Sequence, residues 1–289
     1  MRRMLASFWL TARLAAGLAA SACAAPGGSA VPEQQDAAAN PAAVEITFLD
    51  VGQGDAVLLR APEGQTALVD AGSDAPLAAL RALAVERVDL LVATHPHADH
   101  IGGMSDVLAA VPVRFFMDNA QPHTTATYRN LLATLERRTD VTYLAAEPRT
   151  VELGSVALEV LPLPPMSENL NNRSIAIVVR FGAFVAFLSG DSETEELEWL
   201  VGQDVVPDVT LLKAAHHGSD NGVTARFLER ARPEVVVISV GANDYGHPGR
   251  NALAAYATYA RTIHRTDRDG GVTVRGYEDG RFEIRTERP

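Results

Sequence analysis

The sequence Thr94-His95-Pro96-His97-Ala98-Asp99-His100 directly follows the mostly apolar run Val88–Ala93. The apolar run predicts a buried strand, so three imidazoles and a carboxylate gather where that strand ends. Buried histidine and aspartate side chains are costly unless partners satisfy them, and a bound metal ion would satisfy several at once. In an extended segment the first two histidines project to the same side, while a turn into a helix brings Asp99 and His100 back toward them. This spacing predicts two adjacent metal ions.

The composition is that of a globular, acidic protein. The chain has 289 residues, of which 47% are hydrophobic and 21% charged, enough to bury the core of one large domain. Its formal net charge is -11, and Lys213 is its single lysine. Such a chain lacks the broad basic surface of a tight duplex-DNA binder. A metal enzyme is not excluded, because a bound cation supplies local positive charge.

The N-terminal residues have the pattern of a targeting segment. Arg2 and Arg3 precede an apolar stretch that ends in small residues before Cys23, which predicts a signal peptide over 1–22. We predict a lipid anchor at Cys23, with ordinary cleavage nearby as the alternative. Residues 23–43 are rich in Ala, Pro, Gly and Ser, and predict a flexible linker before a folded domain over 44–289. The protein is therefore expected to be exported, as a periplasmic or outer-membrane lipoprotein or in secreted form.

Further polar groups follow other apolar runs that read as strands. They are Asp70, Asp191, His216, His217 and His247. In a sheet covered by helices, loops at strand ends are where ligand sites form. The segment Asp50–Asp55 contains two glycines and, taken alone, predicts a hairpin turn with solvated aspartates. His123 and His264 match no pattern, and no function is assigned to them.

Taken together, these patterns resemble a known family. Asp70-x-Gly, His95-x-His-x-Asp-His100, Ser189-Gly-Asp191 and a late histidine are similar to the metallo-β-lactamase superfamily of binuclear hydrolases. Within it, the chain resembles the soluble hydrolase domain of ComEC-type competence proteins in Asp50-Val-Gly-Gln-Gly-Asp55, Asn171-Asn172-x-Ser174, Lys213-x-x-His-His-Gly-Ser219 and Ser239-Val-Gly-x-Asn243-x-Tyr-Gly-His-Pro248. The resemblance implies an α/β fold: an αββα sandwich of two mixed β-sheets with helices on the outer faces.

The resemblance also implies a set of metal ligands. These are His95 and His97 for the first ion, Asp99, His100 and His247 for the second, and Asp191 bridging both. Asp70 would orient a ligand imidazole through a hydrogen bond. Where superfamily members commonly have a further histidine, this chain has Asn171 and Asn172. Because an amide oxygen suits manganese better than zinc, the implied cofactors are two divalent ions, Zn²⁺ or Mn²⁺.

Other residues are expected to act on the substrate. The candidate catalytic residues are Asp99, His216 and His217, and His217 is also a candidate ligand. The candidate substrate-binding residues are Asn171, Asn172, Lys213 and Ser219.

The implied activity is that of an exported metal-dependent hydrolase, a phosphodiesterase or nuclease acting through a metal-activated water. Its substrate would be an anionic phosphodiester such as single-stranded DNA. Beyond residue 22, however, 22 basic residues stand against 36 acidic ones. That excess predicts weak, salt-sensitive binding of nucleic acid unless Arg173, Arg180 and Arg250 cluster at the mouth of the site.

Two alternatives stay open. One is a small-substrate metallohydrolase, either a phosphorylcholine-type esterase or a lactamase-like enzyme. A lactamase is disfavoured because those enzymes usually have a cysteine where Asp191 stands. The other is a non-catalytic metal-binding lipoprotein.

Overall fold

Two mixed β-sheets pack face to face in residues 41–289, the part of the chain that the computed structural model describes. The predicted signal peptide, the lipid anchor at Cys23 and nearly all of the predicted linker lie outside these residues. Among the helices described, none is both long and apolar enough to cross a membrane.

The first sheet has eight strands, in the spatial order β15-β14-β1-β2-β3-β4-β5-β6. Numbered along the chain, they are β1 (Ala43–Phe48), β2 (Val57–Arg60), β3 (Thr66–Val69), β4 (Val88–Ala93), β5 (Val113–Asp118), β6 (Thr142–Ala145), β14 (Val272–Tyr277) and β15 (Phe282–Thr286). Strands β3 to β6 run parallel to one another, and the others pair antiparallel.

The second sheet has seven strands, in the order β13-β12-β11-β10-β9-β8-β7. They are β7 (Arg149–Leu153), β8 (Val156–Val160), β9 (Ile177–Phe181), β10 (Phe184–Leu188), β11 (Leu211–Lys213), β12 (Val235–Ile238) and β13 (Thr262–Arg265). Here β10 to β13 are parallel. Both sheets therefore have parallel strands whose carboxyl ends can carry a ligand site.

Helices cover the outer face of each sheet. They are α1 (Leu77–Ala82), α2 (Ala98–Ile101), α3 (Met104–Ala110), α4 (Ala126–Arg137), α5 (Thr194–Gly202), α6 (Ala225–Ala231), α7 (Arg250–Tyr259) and α8 (Thr266–Asp269). One apolar cluster, including Phe48 and Leu188, fills the space between the sheets. A second cluster lies under α5 to α7, and a third lies under α1, α3 and α4. These layers confirm the predicted αββα sandwich.

The elements differ from the sequence prediction in two respects. The helical spacing of Leu77, Leu80 and Leu83 predicts one helix over Pro76–Arg87, but α1 ends at Ala82 and Ala84 has a left-handed φ of 51°. The sequence pattern does not predict the edge strands β6 and β13, because their residues are at most partly buried and show little alternation. Both differences lie away from the strand ends that carry the histidines.

Candidate metal centre

Asp70 stands at the end of β3 and orients His100. Its carboxylate accepts hydrogen bonds from the backbone N–H of Thr94 at 2.8 Å and from the Thr94 hydroxyl at 2.7 Å. The Nδ1–H of His100 donates to the same carboxylate at 2.7 Å. This bond fixes the orientation of the imidazole and directs its Nε2 away from Asp70. A carboxylate commonly orients a metal-binding histidine in this way.

Four donor atoms converge in front of His100. The Nε2 of His100, the Nε2 of His217 and one carboxylate oxygen each of Asp99 and Asp191 all lie within 4.8 Å of one another. The Oδ2 of Asp191 is 3.2 Å from His100 Nε2 and 3.5 Å from His217 Nε2. The Nδ1–H of His217 donates to the Ser239 carbonyl at 3.0 Å, which leaves its Nε2 facing Asp99 at 3.2 Å.

The electrostatics of these four residues fit a bound cation. Burial opposes ionisation of Asp191, but His100 and His217 hold its pKa well below the usual value. Burial likewise opposes the charge of His100, yet the Asp191 and Asp70 carboxylates hold its pKa well above the usual value, so an incoming metal ion would displace a proton from His100 Nε2. His100 Nε2 and Asp191 Oδ1 are buried without a hydrogen-bond partner among the described residues. A divalent ion would satisfy both atoms and balance the carboxylates.

A second set of imidazole nitrogens lies near the same oxygen of Asp191. His95 Nε2 and His97 Nδ1 are 3.0 Å apart, and His95 Nε2 lies 3.8 Å from Asp191 Oδ2. His216 Nε2 lies at the same distance, 3.8 Å, from that oxygen. Burial lowers the pKa of both His95 and His97, which favours the neutral form that binds metals. His216 therefore stands where it can supplement the pair that the sequence assigned to the first ion.

The loop that carries His216 and His217 has an unusual backbone. Both residues have left-handed φ values, 48° and 52°, which residues other than glycine seldom adopt. The loop is held by hydrogen bonds from His216 N to the Gly190 carbonyl and from Ser219 N to the His216 carbonyl. Such a conformation costs about 1–3 kcal/mol per residue. It places the Nε2 atoms of both imidazoles near Asp191 Oδ2, with the ring centroids 6.1 Å apart.

His247 lies further out than the sequence placed it. The fourth donor beside Asp99, His100 and Asp191 is His217, whereas the ring centroid of His247 is 6.5 Å from that of His217 and 5.1 Å from that of His216. The His247 Nδ1 is buried without a hydrogen-bond partner in the described part of the chain. Its imidazole lines the cavity in front of the donors.

The two asparagines have different surroundings. Asn171 lines the cavity, and its Oδ1 is buried without a partner among the described residues. Asn172 faces α5 instead, where its Oδ1 accepts from the backbone N–H groups of Glu193 and Glu196 at 3.2 and 3.3 Å. Asn171 is therefore the asparagine placed to meet a ligand. Ser219 is buried and, like Asn172, is not among the residues that line the cavity.

Lys213 lies beneath the donors, not at the surface. Its side chain is 2% exposed, and its Nζ is 2.6 Å from the carboxylate of Asp55, which is fully buried. The Nζ also donates to the carbonyls of Gly190 and Ala214, at 3.0 Å each. The other Asp55 oxygen is 3.4 Å from His217 Nδ1. This position gives Lys213 a role in holding the site together, where the sequence suggested contact with substrate.

Asp55 is the residue that sequence reasoning missed. Asp55 is fully buried at the end of its loop, where its backbone N–H donates to the Asp99 carbonyl at 3.1 Å. A Cβ at Gly54, where φ is 136°, would lie 2.3 Å from that carbonyl oxygen, so only glycine permits the contact. The glycines by themselves predict only a turn, yet here Gly54 also allows the loop to approach the metal donors.

The donors open into a cavity of about 350 Å³. It is lined by Gln53, His97, Ala98, Asp99, Asn171, Asp191, His216, His217, Tyr245 and His247. None of these is a lysine or arginine. Arg173 bonds to the carbonyl of Pro164 at 3.3 Å, Arg180 pairs with Glu159 at 2.7 Å, and Arg250 begins α7. The three arginines do not form a basic mouth, so bound cations would supply the positive charge for an anionic substrate.

A buried carboxyl behind the site predicts a pH-dependent stability. Glu196 is 1% exposed, and it accepts a hydrogen bond from the backbone N–H of Ser174, whose hydroxyl in turn accepts from Asp191 N. Burial raises the pKa of Glu196 to about 8 from the ordinary 4.5. Between these two pKa values the folded protein keeps a proton on Glu196 that the unfolded chain has released. The contribution of Glu196 to the free energy of unfolding is therefore fully present below the ordinary pKa. It falls by about 1.4 kcal/mol per pH unit as pH rises to about 8.

We therefore expect Glu196→Gln to gain in relative stability as pH rises. Urea unfolding at pH 5, 6.5 and 8 measures the free energy of unfolding of both proteins. Relative to wild type, the value for Glu196→Gln should increase by a few kcal/mol from pH 5 to pH 8. Glu195→Gln, an exposed position on the same helix, is the control and should show no such trend. A pH-independent difference for Glu196→Gln would contradict the raised pKa.

Comparison with known proteins places the chain in a family. The model of the metallo-β-lactamase superfamily matches residues 49–242. ComE operon protein 3 of Bacillus subtilis (strain 168) is 24% identical over 265 residues, covering 80% of this chain and 33% of that protein. Competence protein ComA of Neisseria gonorrhoeae is 28% identical over 253 residues, covering 84% of this chain and 33% of that protein. The chain thus spans about a third of the length of these curated relatives.

A solved structure shows the same architecture. The metallo-β-lactamase fold protein YhfI from Bacillus subtilis aligns with a TM-score of 0.51 and 12% identity, covering 77% of this chain and 97% of that one. The relatives confirm the resemblance to ComEC-type competence proteins, and the family's fold implies divalent metal ions, for which the described residues offer candidate ligand groups. With its matched motif region, its sandwich of two sheets and its donors at the strand ends, the chain belongs to the metallo-β-lactamase superfamily.

Proposed function

We propose that this hydrolase-family chain is a divalent-metal-dependent phosphodiesterase. The observation that carries the proposal is the position of the Asp191 carboxylate. Four imidazole nitrogens, from His95, His100, His216 and His217, surround its Oδ2 at 3.2–3.8 Å. A carboxylate placed between two donor sets suits a pair of cations, and paired cations suit a phosphodiester anion.

The ligands divide between two positions. Asp99, His100 and His217 would hold one ion, His95 and His97 with His216 the other, and Asp191 would contact both. When bound, these ions supply positive charge to the phosphate and lower the pKa of the attacking water. Asn171 Oδ1, an unpartnered amide oxygen at the cavity, favours manganese over zinc at the position nearest to it.

The chain's own residues would then handle the substrate. His247 lines the cavity beyond the donors, with its ring 5.1 Å from that of His216. We assign His247 the role of donating a proton to the leaving-group oxygen. An imidazole within hydrogen-bond reach can do so as the bond between phosphorus and that oxygen breaks. Asp70, Asp55 and the Ser239 carbonyl hold the ligand imidazoles in orientation through their Nδ1 atoms.

A phosphodiester fits better than the other substrates considered. A lactamase is disfavoured by the aspartate at position 191, and a purely structural metal site would not need an open cavity beside its donors. The curated relatives carry the names of competence proteins, which supports a nucleic-acid diester.

We also propose that residues 1–22 direct export and that Cys23 carries a lipid. Cell fractionation that compares wild type with Cys23→Ser tests this proposal.

The proposal is tested with the purified full-length chain. Hydrolysis of bis-p-nitrophenyl phosphate should disappear on treatment with a chelator and return on addition of Mn²⁺ or Zn²⁺. His97→Ala should lower both the bound metal, measured by elemental analysis, and the rate. His264→Ala is the matched control, because that imidazole pairs with Asp269 at 3.3 Å and does not line the cavity. Hydrolysis that survives chelation, or that is unchanged in His97→Ala, would refute the proposal.

A further inference from the structure

We infer that Tyr245 is a stacking platform for an unpaired nucleobase of the substrate, beside the metal donors. The inference rests on the proposed phosphodiesterase function and narrows it to a single-stranded nucleic acid held by its bases. It depends on the exposure of one aromatic ring, the rigidity of its loop, the shape of the cleft and the charges along it.

The ring of Tyr245 is unusually open to solvent. At 76% exposure it is more exposed than Met166 at 63% or Tyr143 at 52%, the next large apolar side chains at the surface of the described residues. It stands over the cavity that holds the donors and not on a distant face. When a flat apolar group stacks on an exposed aromatic ring at a ligand cavity, much of the ring's apolar surface is removed from water, which favours binding.

The loop that carries the ring is held in place. The side-chain oxygen of Asn243 accepts from the backbone N–H of Tyr245 at 3.1 Å and of His247 at 3.0 Å. Its amide nitrogen donates to the carbonyls of Gly241 at 2.8 Å and of His247 at 2.9 Å. One side chain thus holds the backbone at both Tyr245 and His247, whose rings lie 5.8 Å apart with a tilt of 33°. A platform that is already ordered loses little entropy when a base binds.

The cleft continues past this ring. A second cavity, of about 590 Å³, adjoins the first and shares Gln53, Ala98, Asp99 and Tyr245 with it. A diester whose scissile phosphate lies against Asp99 and Asp191 can therefore continue over Tyr245. Ser73 also lines the second cavity, and a serine hydroxyl can form a hydrogen bond with the edge of a planar base.

The charges along the cleft exclude binding through the phosphate backbone. Neither cavity is lined by lysine or arginine, whereas Asp99 and Asp244 are acidic. Phosphates that flank the scissile one therefore find no cation, and affinity must come from stacking, which every base offers through its π face. Bases within a duplex are stacked on each other and cannot lie flat on Tyr245. The substrate that fits is an unpaired strand. Because no lysine or arginine lines either cavity, few counterions are released on binding, and the salt-sensitive binding expected from the net charge gives way to a weak dependence on salt.

The test uses the Mn²⁺-loaded full-length chain and two short strands, oligothymidylate and the same backbone without bases. For oligothymidylate, Tyr245→Ala should raise KM about tenfold with little change in kcat, whereas Tyr245→Phe should stay within about twofold of wild type. For the abasic strand neither substitution should matter. Tyr143→Ala, an exposed tyrosine away from both cavities, is the matched control, and thermal melting checks that each variant is folded.

Several results would overturn the inference and leave the phosphodiesterase function intact. One is hydrolysis of bis-p-nitrophenyl phosphate without hydrolysis of oligothymidylate. Another is an equal rise in KM for both strands, or no rise for either. A Tyr245→Phe variant as weak as Tyr245→Ala would show that the hydroxyl acts, not the ring face. If the wild type hydrolyses no diester at all, the proposed function itself fails.

Discussion

Asp191→Asn is expected to reduce kcat/KM for bis-p-nitrophenyl phosphate by about three orders of magnitude, equivalent to about 4 kcal/mol of transition-state stabilisation. The substitution keeps the shape of the side chain but removes the one anion that four imidazoles face at 3.2–3.8 Å. A divalent ion held by a neutral amide loses Coulombic attraction in a buried, low-dielectric site, where such attraction is strong.

Metal content separates this explanation from a general loss of folding. Elemental analysis of Asp191→Asn should show less bound metal than wild type, while the protein stays folded. Asp106→Asn is the matched control, since it makes the same change on an exposed residue of α3 and should keep both metal and rate. Full metal content and near-normal activity in Asp191→Asn would contradict the bridging role.

Lys213→Met should lower the free energy of unfolding by about 3–5 kcal/mol, the cost typical of removing one partner from a buried ion pair. Lys213 and Asp55 are 2% and 0% exposed, and their charged atoms are 2.6 Å apart. Without the ammonium group, the buried Asp55 carboxylate keeps, within residues 41–289, only His100 and His217 as charged partners, at 3.7 and 3.4 Å.

A double-mutant cycle tests whether the cost comes from the pair. Asp55→Asn combined with Lys213→Met should recover a large part of the loss, because no charge is then left buried alone. Arg230→Met is the surface control, since its ion pair with Asp204 is largely exposed and should be worth about 1 kcal/mol or less. Urea unfolding of the four proteins measures the cycle. Additive losses would contradict a coupled pair.

Much of the fold could be predicted because the polar clusters interrupt apolar runs at regular places. The continuous runs ending at His95, Asp191 and His216 predicted buried strands, and the motifs predicted the sandwich they form. The inner donors could be predicted for the same reason, since His95 to His100 are fixed by local geometry. Register and pairing of the edge strands could not, because partly buried residues carry little periodic signal.

The remaining parts of the site depend on long-range packing. Whether His217 or His247 joins Asp99 is decided by the left-handed backbone of one loop, which no spacing reveals. Asp55 became buried because the glycine before it lets two loops touch. The position of Lys213 follows from that burial, since a lone carboxylate in the interior requires a cation. In each case a residue distant in sequence determines the environment.

The four donors Asp99, His100, Asp191 and His217 come from both sheets. Asp99 and His100 follow β4 of the first sheet, whereas Asp191 and His217 follow β10 and β11 of the second. Neither sheet alone carries all four donors. An ion bound here would therefore link the two sheets of the sandwich. Metal loading would then raise the force needed to separate the sheets, and the chain cut between β6 and β7 would regain a complete donor set only when its pieces reassemble.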